Sequence, residues 1–103
     1  MTALQKVKAF RSKKLTDAAE GRPCVLCGAC GTTVAAHSNA LSHGRGMGLK
    51  APDFMVAYVC QRHHDLIDGR AGLLAENDKR EMWMRAWART VKLWFDEGIV
   101  IVK

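Results

Sequence analysis

The 103-residue sequence has no apolar run near the roughly 20 residues that a membrane-spanning helix needs; its longest are MVAYVC and IVIV. A soluble protein with no membrane partner is therefore expected. It has no internal repeat and no low-complexity segment, which sets repeat architectures aside. It has no acidic residue before Asp17, although Lys6, Lys8, Arg11, Lys13 and Lys14 come earlier. Its opening MTALQKVKAFRSKKL is basic and lacks the continuous apolar stretch of a secretion signal. The expected compartment is reducing, so Cys24, Cys27, Cys30 and Cys60 are expected as free thiols available to a metal rather than as disulfides.

What is present is basic. Lys and Arg number 16 against 10 Asp and Glu, a formal net charge of +6. Clustered positive charge favours a polyanionic partner, because each phosphate neutralised releases counterions. The organisation expected is a basic tail over residues 1–14 and a single domain over 15–103. A core of this size leaves little stability in hand, so a metal or a partner is expected to staple it.

LTDAAEGRP reads as a short helix stopped by Gly21 and Pro23. TTVAAHSN reads as a strand on which Ala35, His37 and Asn39 share a face. LSHGRGMGLKAPD, rich in glycine, reads as a loop, and FMVAYV as an extended segment leading to Cys60. A helix is expected from Gln61 to about Gly69, and a longer one from about Glu76 to Glu97. On the latter, Trp83, Trp87, Val91 and Trp94 recur at three- and four-residue steps. That stripe is read as core rather than as a base-stacking platform. Arg85, Arg89 and Lys92 fall on the opposite, solvated face, and IVIV reads as a terminal strand with an edge able to pair two copies in a homodimer.

Cys24-x-x-Cys27-Gly has the form of a zinc knuckle, and tetrahedral zinc needs four ligands. Cys60-x-x-His63 supplies a second pair, one helical turn apart, after an intervening 32 residues. A closed structural Zn²⁺ site of Cys24, Cys27, Cys60 and His63 is the expectation. Cys27-x-x-Cys30 has the same spacing as the first pair, but Cys30 is read as a small buried thiol. Adjacent helical residues point about 100° apart, so with His63 on zinc, His64 faces elsewhere. His37 at a strand end and His64 on a helix can together build a second, open metal site that activates water.

The pattern C-x-x-C-G, AH, GMG-x-K-A-x-D, VC-x-x-H-H resembles the HNH, or ββα-metal, nucleases built on a treble-clef zinc scaffold. More closely, TTVAAHSN, GMGLKAPD, VCQRHHDLIDGR and ARTVKLWFDEGIV resemble the YbcO-like nuclease-domain proteins of lambdoid phages and prophages. The resemblance runs from about Leu15 to the C-terminus. It implies an α+β fold of knuckle, β-hairpin, long loop and ligand-bearing helix, here with an added C-terminal amphipathic helix. It also implies metal-dependent cleavage of DNA phosphodiesters with Mg²⁺ or another divalent ion. The setting it implies is phage recombination or processing in the bacterial cytoplasm, beside phage or host recombination proteins.

Carried over by position, His37 matches the strand-end histidine and His64 the closing histidine of the motif. His63 stands where many relatives have a cysteine. The acid or histidine that often precedes the strand-end histidine is missing, its place taken by Ala36, so His37 is either general base or metal ligand. The middle asparagine of the motif is missing near Met55. Asp53 is the best substitute, binding the catalytic ion with His64 or orienting His37; Asn39 is second. Arg45 and Lys50 are candidates for positioning phosphate, Gly44, Gly46 and Gly48 for admitting the DNA backbone, and His43 is a reserve base.

The departures support a rival reading, a zinc-stabilised DNA- or protein-binding module without catalysis. A zinc deaminase fits less well, because Ser38 and Asn39 follow His37 where that chemistry wants a His-x-Glu. A Cys2His2 DNA-reading finger fits poorly too, since the second pair is Cys-x-x-His.

Overall fold

A computed structural model of the protein describes residues 10–40, 43, 45, 50–69 and 72–103. Glycines 44, 46 and 48, and Lys6 and Lys8 of the basic tail, lie outside the described residues. The elements run α1 (Lys13–Asp17), β1 (Val34–His37), β2 (Val56–Val59), α2 (Gln61–Asp68) and α3 (Glu76–Asp96). This is a small α+β fold.

The two strands form one antiparallel hairpin, with Val34 opposite Val59 and His37 opposite Val56. A two-stranded hairpin is marginal on its own. Here β2 is buried at all four positions, and because side chains alternate across a strand, its two faces serve two cores. Ala57 and Val59 pack with Cys24, Cys60, Ile67, Trp83 and Ala86. Val56 and Tyr58 pack with Leu15, Ala19 and Trp94.

Helix α3 does more than cover the hairpin. The three indoles of its stripe all donate N–H bonds to hairpin or flanking groups: Trp83 to the Ala36 carbonyl, Trp87 to the Phe54 carbonyl and Trp94 to the Tyr58 hydroxyl. Thr90, fully buried, accepts from the Tyr58 N–H at 3.0 Å and returns its own hydroxyl to the Ala86 carbonyl. A buried backbone N–H without a partner costs about as much as a lost hydrogen bond, so Thr90 stands in for a third strand. Trp83 and Trp94 are buried, in agreement with the core reading of the stripe. On the opposite face Arg85 pairs with Glu81, Lys92 with Asp96, and Arg89 donates to the Val25 carbonyl.

Three boundaries differ from the sequence expectation. Helix α1 starts at Lys13, within the expected tail, because Ser12 caps it through the Leu15 N–H. Cys30 is exposed rather than buried. The terminal IVIV is not a strand: the N–H groups of Ile99 and Val100 both fold back onto the Trp94 carbonyl, and those two side chains pack on the second core. With their donors satisfied by the helix end, nothing draws the segment into the sheet, and Ile101 and Val102 are exposed. Among the described residues no helix is long and apolar enough to cross a membrane.

Candidate functional site

The knuckle turn forms because Gly28 takes φ +78°, a conformation that L side chains rarely adopt, letting its N–H reach the Cys24 carbonyl at 2.8 Å. Helix α2 begins one residue after Cys60, and its first N–H is held by the Thr32 hydroxyl. The result brings together Cys24 Sγ, Cys27 Sγ, Cys60 Sγ and His63 Nδ1, all within 4.8 Å of one another. Ligands about 2.0–2.3 Å from a tetrahedral ion lie about 3.5–3.8 Å apart. Cys27 to Cys60 is 3.8 Å, Cys24 to His63 is 3.7 Å and Cys60 to His63 is 3.2 Å. Three thiols and an imidazole at this spacing can bind a metal ion such as zinc. Cys30 is outside the cluster, its thiol directed to the Gly28 carbonyl.

The electrostatics differ among the ligands. Burial opposes ionisation of Cys24, but hydrogen bonds around Cys60, Cys27 and Leu26 outweigh it and lower its pKa. Burial pushes the Cys60 thiol up, and its thiol neighbours add to that. Burial and the charge of Arg62 lower the pKa of His63, favouring the neutral imidazole that a metal requires.

The remaining expected site residues fall into two groups, both anchored at the end of β1. In the first, His37 Nε2 lies 2.7 Å from Asp53 Oδ1. Arg11 donates to the same oxygen at 3.1 Å, and the Ser12 N–H to Oδ2 at 2.7 Å. Burial alone would raise the pKa of Asp53; the bonds from His37, Ser12 and Arg11, with the charge of His37, outweigh it and hold the carboxyl below its ordinary value. In the second group, Asn39 Nδ2 donates to Asp68 Oδ1 at 3.0 Å, and Asp68 Oδ2 lies 3.1 Å from His64 Nε2. His64 Nδ1 is buried and has no hydrogen-bond partner among the described residues.

Asp53 and His64, grouped around one ion by the sequence reading, thus have different partners. Both Asp53 oxygens are taken by donors, and among the described residues the Cys3His set is the one convergence of three or more metal-ligating side chains. Asp68 went unnoticed in the sequence. Its signal was present: it stands four residues after His64, the spacing that places two side chains on one helical face.

Beside the second group opens a cleft of about 840 Å³, lined by Ser38, Asn39, His43, Asp68 and Trp83, with the cations of Arg45, Lys79 and Arg80 and with Glu76, which pairs with Lys79 at 3.0 Å. Arg45, a candidate for positioning phosphate, lines this cleft. Lys50 is exposed and does not line this cleft; its carbonyl accepts from Arg11. Lys79 and Arg80 were missed because they open α3, which the sequence reading treated through its indoles.

A small α+β domain with a Cys3His cluster shared by a knuckle turn before the hairpin and the start of the helix after it is the class that fold and site define. A family model described as "Putative nuclease YbcO" matches residues 13–99, and the chain belongs to that family. Among solved structures it is similar to one described as "a putative bacteriophage protein" from Escherichia coli str. K-12 substr. MG1655. That similarity has 29% identity and a TM-score of 0.63, over 81% of this chain and 98% of the other. Comparison with curated proteins gives no match.

Proposed function

We propose that this protein is a metal-dependent endodeoxyribonuclease of the HNH type, hydrolysing DNA phosphodiester bonds in phage recombination or processing. The observation that carries the reading is the 2.7 Å pair of His37 Nε2 and Asp53 Oδ1 in a chain of a nuclease family. A carboxylate that accepts the Nε2–H fixes the tautomer and leaves the lone pair on Nδ1. His37 Nδ1 is then the atom that takes the proton of the attacking water. Asp53, which accepts from His37, Arg11 and the Ser12 N–H, acts by orienting His37.

The same logic applies to His64. Its Nε2 is tied to Asp68, and its buried, unpartnered Nδ1 is the kind of atom a divalent cation fits. His64 would hold Mg²⁺ or a similar ion, with Asp68 orienting the ring and Asn39 orienting Asp68. Bound there, the ion supplies charge that stabilises the phosphate and the leaving oxygen. Arg45, Lys79 and Arg80 line the cleft that Asp68 borders and attract the DNA backbone. Zinc held by Cys24, Cys27, Cys60 and His63 would tie the knuckle turn to the start of α2, a structural role apart from the chemistry.

One observation favours the rival binding module: among the described residues no second group of three or more metal-ligating side chains accompanies the Cys3His set. Nicking of supercoiled plasmid in Mg²⁺, Mn²⁺ or Ni²⁺ separates the two. The nuclease reading expects nicking by the unmodified protein and loss with His37→Ala and with His64→Ala. Nicking that survives both substitutions, or no nicking with any ion, would sink it.

A further inference from the structure

Three successive residues at the end of β1 each take charge of a different group. His37 pairs with Asp53, Asn39 holds Asp68 and through it His64, and between them Ser38 engages a third histidine that base and ion ligand leave unused. Ser38 Oγ lies 2.6 Å from His43 Nδ1. The His43 N–H donates to the Ala40 carbonyl at 3.0 Å. The ring then rests against Trp83, centroids 5.4 Å apart. His43 is thus held by a backbone hydrogen bond, a side-chain hydrogen bond and an aromatic neighbour.

Its chemistry follows from Ser38. That residue is 3% exposed, and its N–H is bonded to the Met55 carbonyl. Its hydroxyl oxygen accepts from the Ala40 N–H at 3.1 Å, and among the described residues His43 Nδ1 is the acceptor within reach of its hydrogen. A buried hydroxyl hydrogen needs an acceptor, so in the neutral ring Nδ1 accepts and Nε2 bears the hydrogen. In the charged ring Nδ1 donates to Ser38, and Nε2 again bears a hydrogen. Either way Nε2 bears a hydrogen, on a histidine that lines the cleft with Asn39, Asp68, Arg45 and Arg80.

We propose that His43 is the general acid of the reaction, an inference that rests on the nuclease reading. Water attacks phosphorus while His37 Nδ1 takes its proton. The bond from phosphorus to the leaving deoxyribose oxygen breaks, and the proton on His43 Nε2 passes to that oxygen, so no free alkoxide forms. The ring that makes this transfer carries hydrogens on both nitrogens and is left neutral when it gives one up. Ser38 is a positioning residue: it aims the ring and touches no substrate.

The test compares an ordinary DNA strand with one carrying a single bridging sulfur in place of the leaving oxygen, both cut in Mn²⁺. A thiol ionises at about pH 8.5 and leaves without a proton donor, whereas the oxygen needs one. Positioned general acids contribute about 10²–10⁴-fold. His43→Ala and His43→Gln are expected to cut the oxygen substrate about 10²-fold or more slowly than the unmodified protein, and the sulfur substrate at nearly its rate. The glutamine variant keeps a hydrogen-bond donor in the cleft but cannot give up a proton, so it separates acid catalysis from binding. Equal slowing on both substrates, or no slowing on either, would overturn the assignment while leaving the nuclease reading intact. Failure of the unmodified protein to cut either strand would instead overturn the nuclease reading and this inference with it.

Discussion

Asn39 and Asp68, 29 positions apart in the chain, are joined by a 3.0 Å hydrogen bond that ties the end of β1 to the last turn of α2. The bond sets the direction of Asp68, and Asp68 sets the ring of His64. It makes the histidine that faces away from the thiolates dependent on a residue of the hairpin.

Changing Asp68→Asn preserves shape but weakens the acceptor that holds His64 Nε2–H. Loss of such an orienting partner typically lowers metal affinity or activity about 10–100-fold. The expected protein is folded and zinc-loaded, and needs correspondingly more Mn²⁺ for half-maximal plasmid nicking. An unchanged Mn²⁺ requirement would show that Asp68 does not orient an ion ligand.

His63→Ala and His64→Ala are expected to behave differently. The first removes a ligand from a four-ligand site, and because metal binding and folding are coupled in small domains, zinc content and cooperative melting should both be lost. The second should keep both. Zinc analysis with thermal unfolding followed by circular dichroism tests this, and equal zinc loss from the two variants would contradict the division of roles.

Asp53 predicts a stability that depends on pH. Its folded pKa is depressed, so its contribution is fully present above the unfolded carboxylate value of about 3.9 and is lost as pH falls through the lower folded value. Asp53→Asn should destabilise the domain by about 3 kcal/mol at neutral pH, since it removes a buried acceptor shared by His37, Arg11 and Ser12. The gap between the two proteins in urea unfolding should narrow as the pH is taken below about 4. A gap independent of pH would mean that the carboxylate charge is not what holds the three donors.

Lys79→Glu and Arg80→Glu place negative charge where the cleft is expected to meet DNA. Binding should weaken, and the slope of log affinity against log salt should become shallower by about one for each phosphate that the variant no longer neutralises. Fluorescence anisotropy with labelled DNA and the His64→Ala background measures this without cleavage. Unaltered affinity and slope would place the DNA elsewhere.

How much of this was legible in the sequence depended on the range of the interaction. The thiolate set was readable because two C-x-x-C/H pairs carry their geometry in their spacing, and α3 because four large side chains repeat at helical steps. Spacing did not separate Cys30 from the knuckle ligands, and neither does the following glycine, since Gly31 after Cys30 takes a positive φ as Gly28 after Cys27 does. The terminal IVIV misled because a four-residue apolar run has no period to separate a strand from a helix end folded back on its last turn. Pairings across long separations were out of reach: nothing local to Asp53 announces that Arg11, 42 positions away, shares its carboxylate, or that His43 answers to Ser38. The asparagine sought near Met55 was looked for by motif position, whereas the groups that orient His37 and His64 are carboxylates supplied by different elements.

His63 and His64 are separated by one peptide bond, and no side-chain rotation can exchange two rings that leave a helix about 100° apart. Only a slip of the backbone can. Deleting Gln61 or Arg62 would carry His64 to the third place after Cys60, where it meets the thiolates, and would put Asp65 in the place His64 had held. Such a deletion can leave a domain that still takes up zinc and yet presents no imidazole to Asp68. In this short stretch, loss of a single codon is therefore more damaging than most substitutions, and metal content alone would not reveal it.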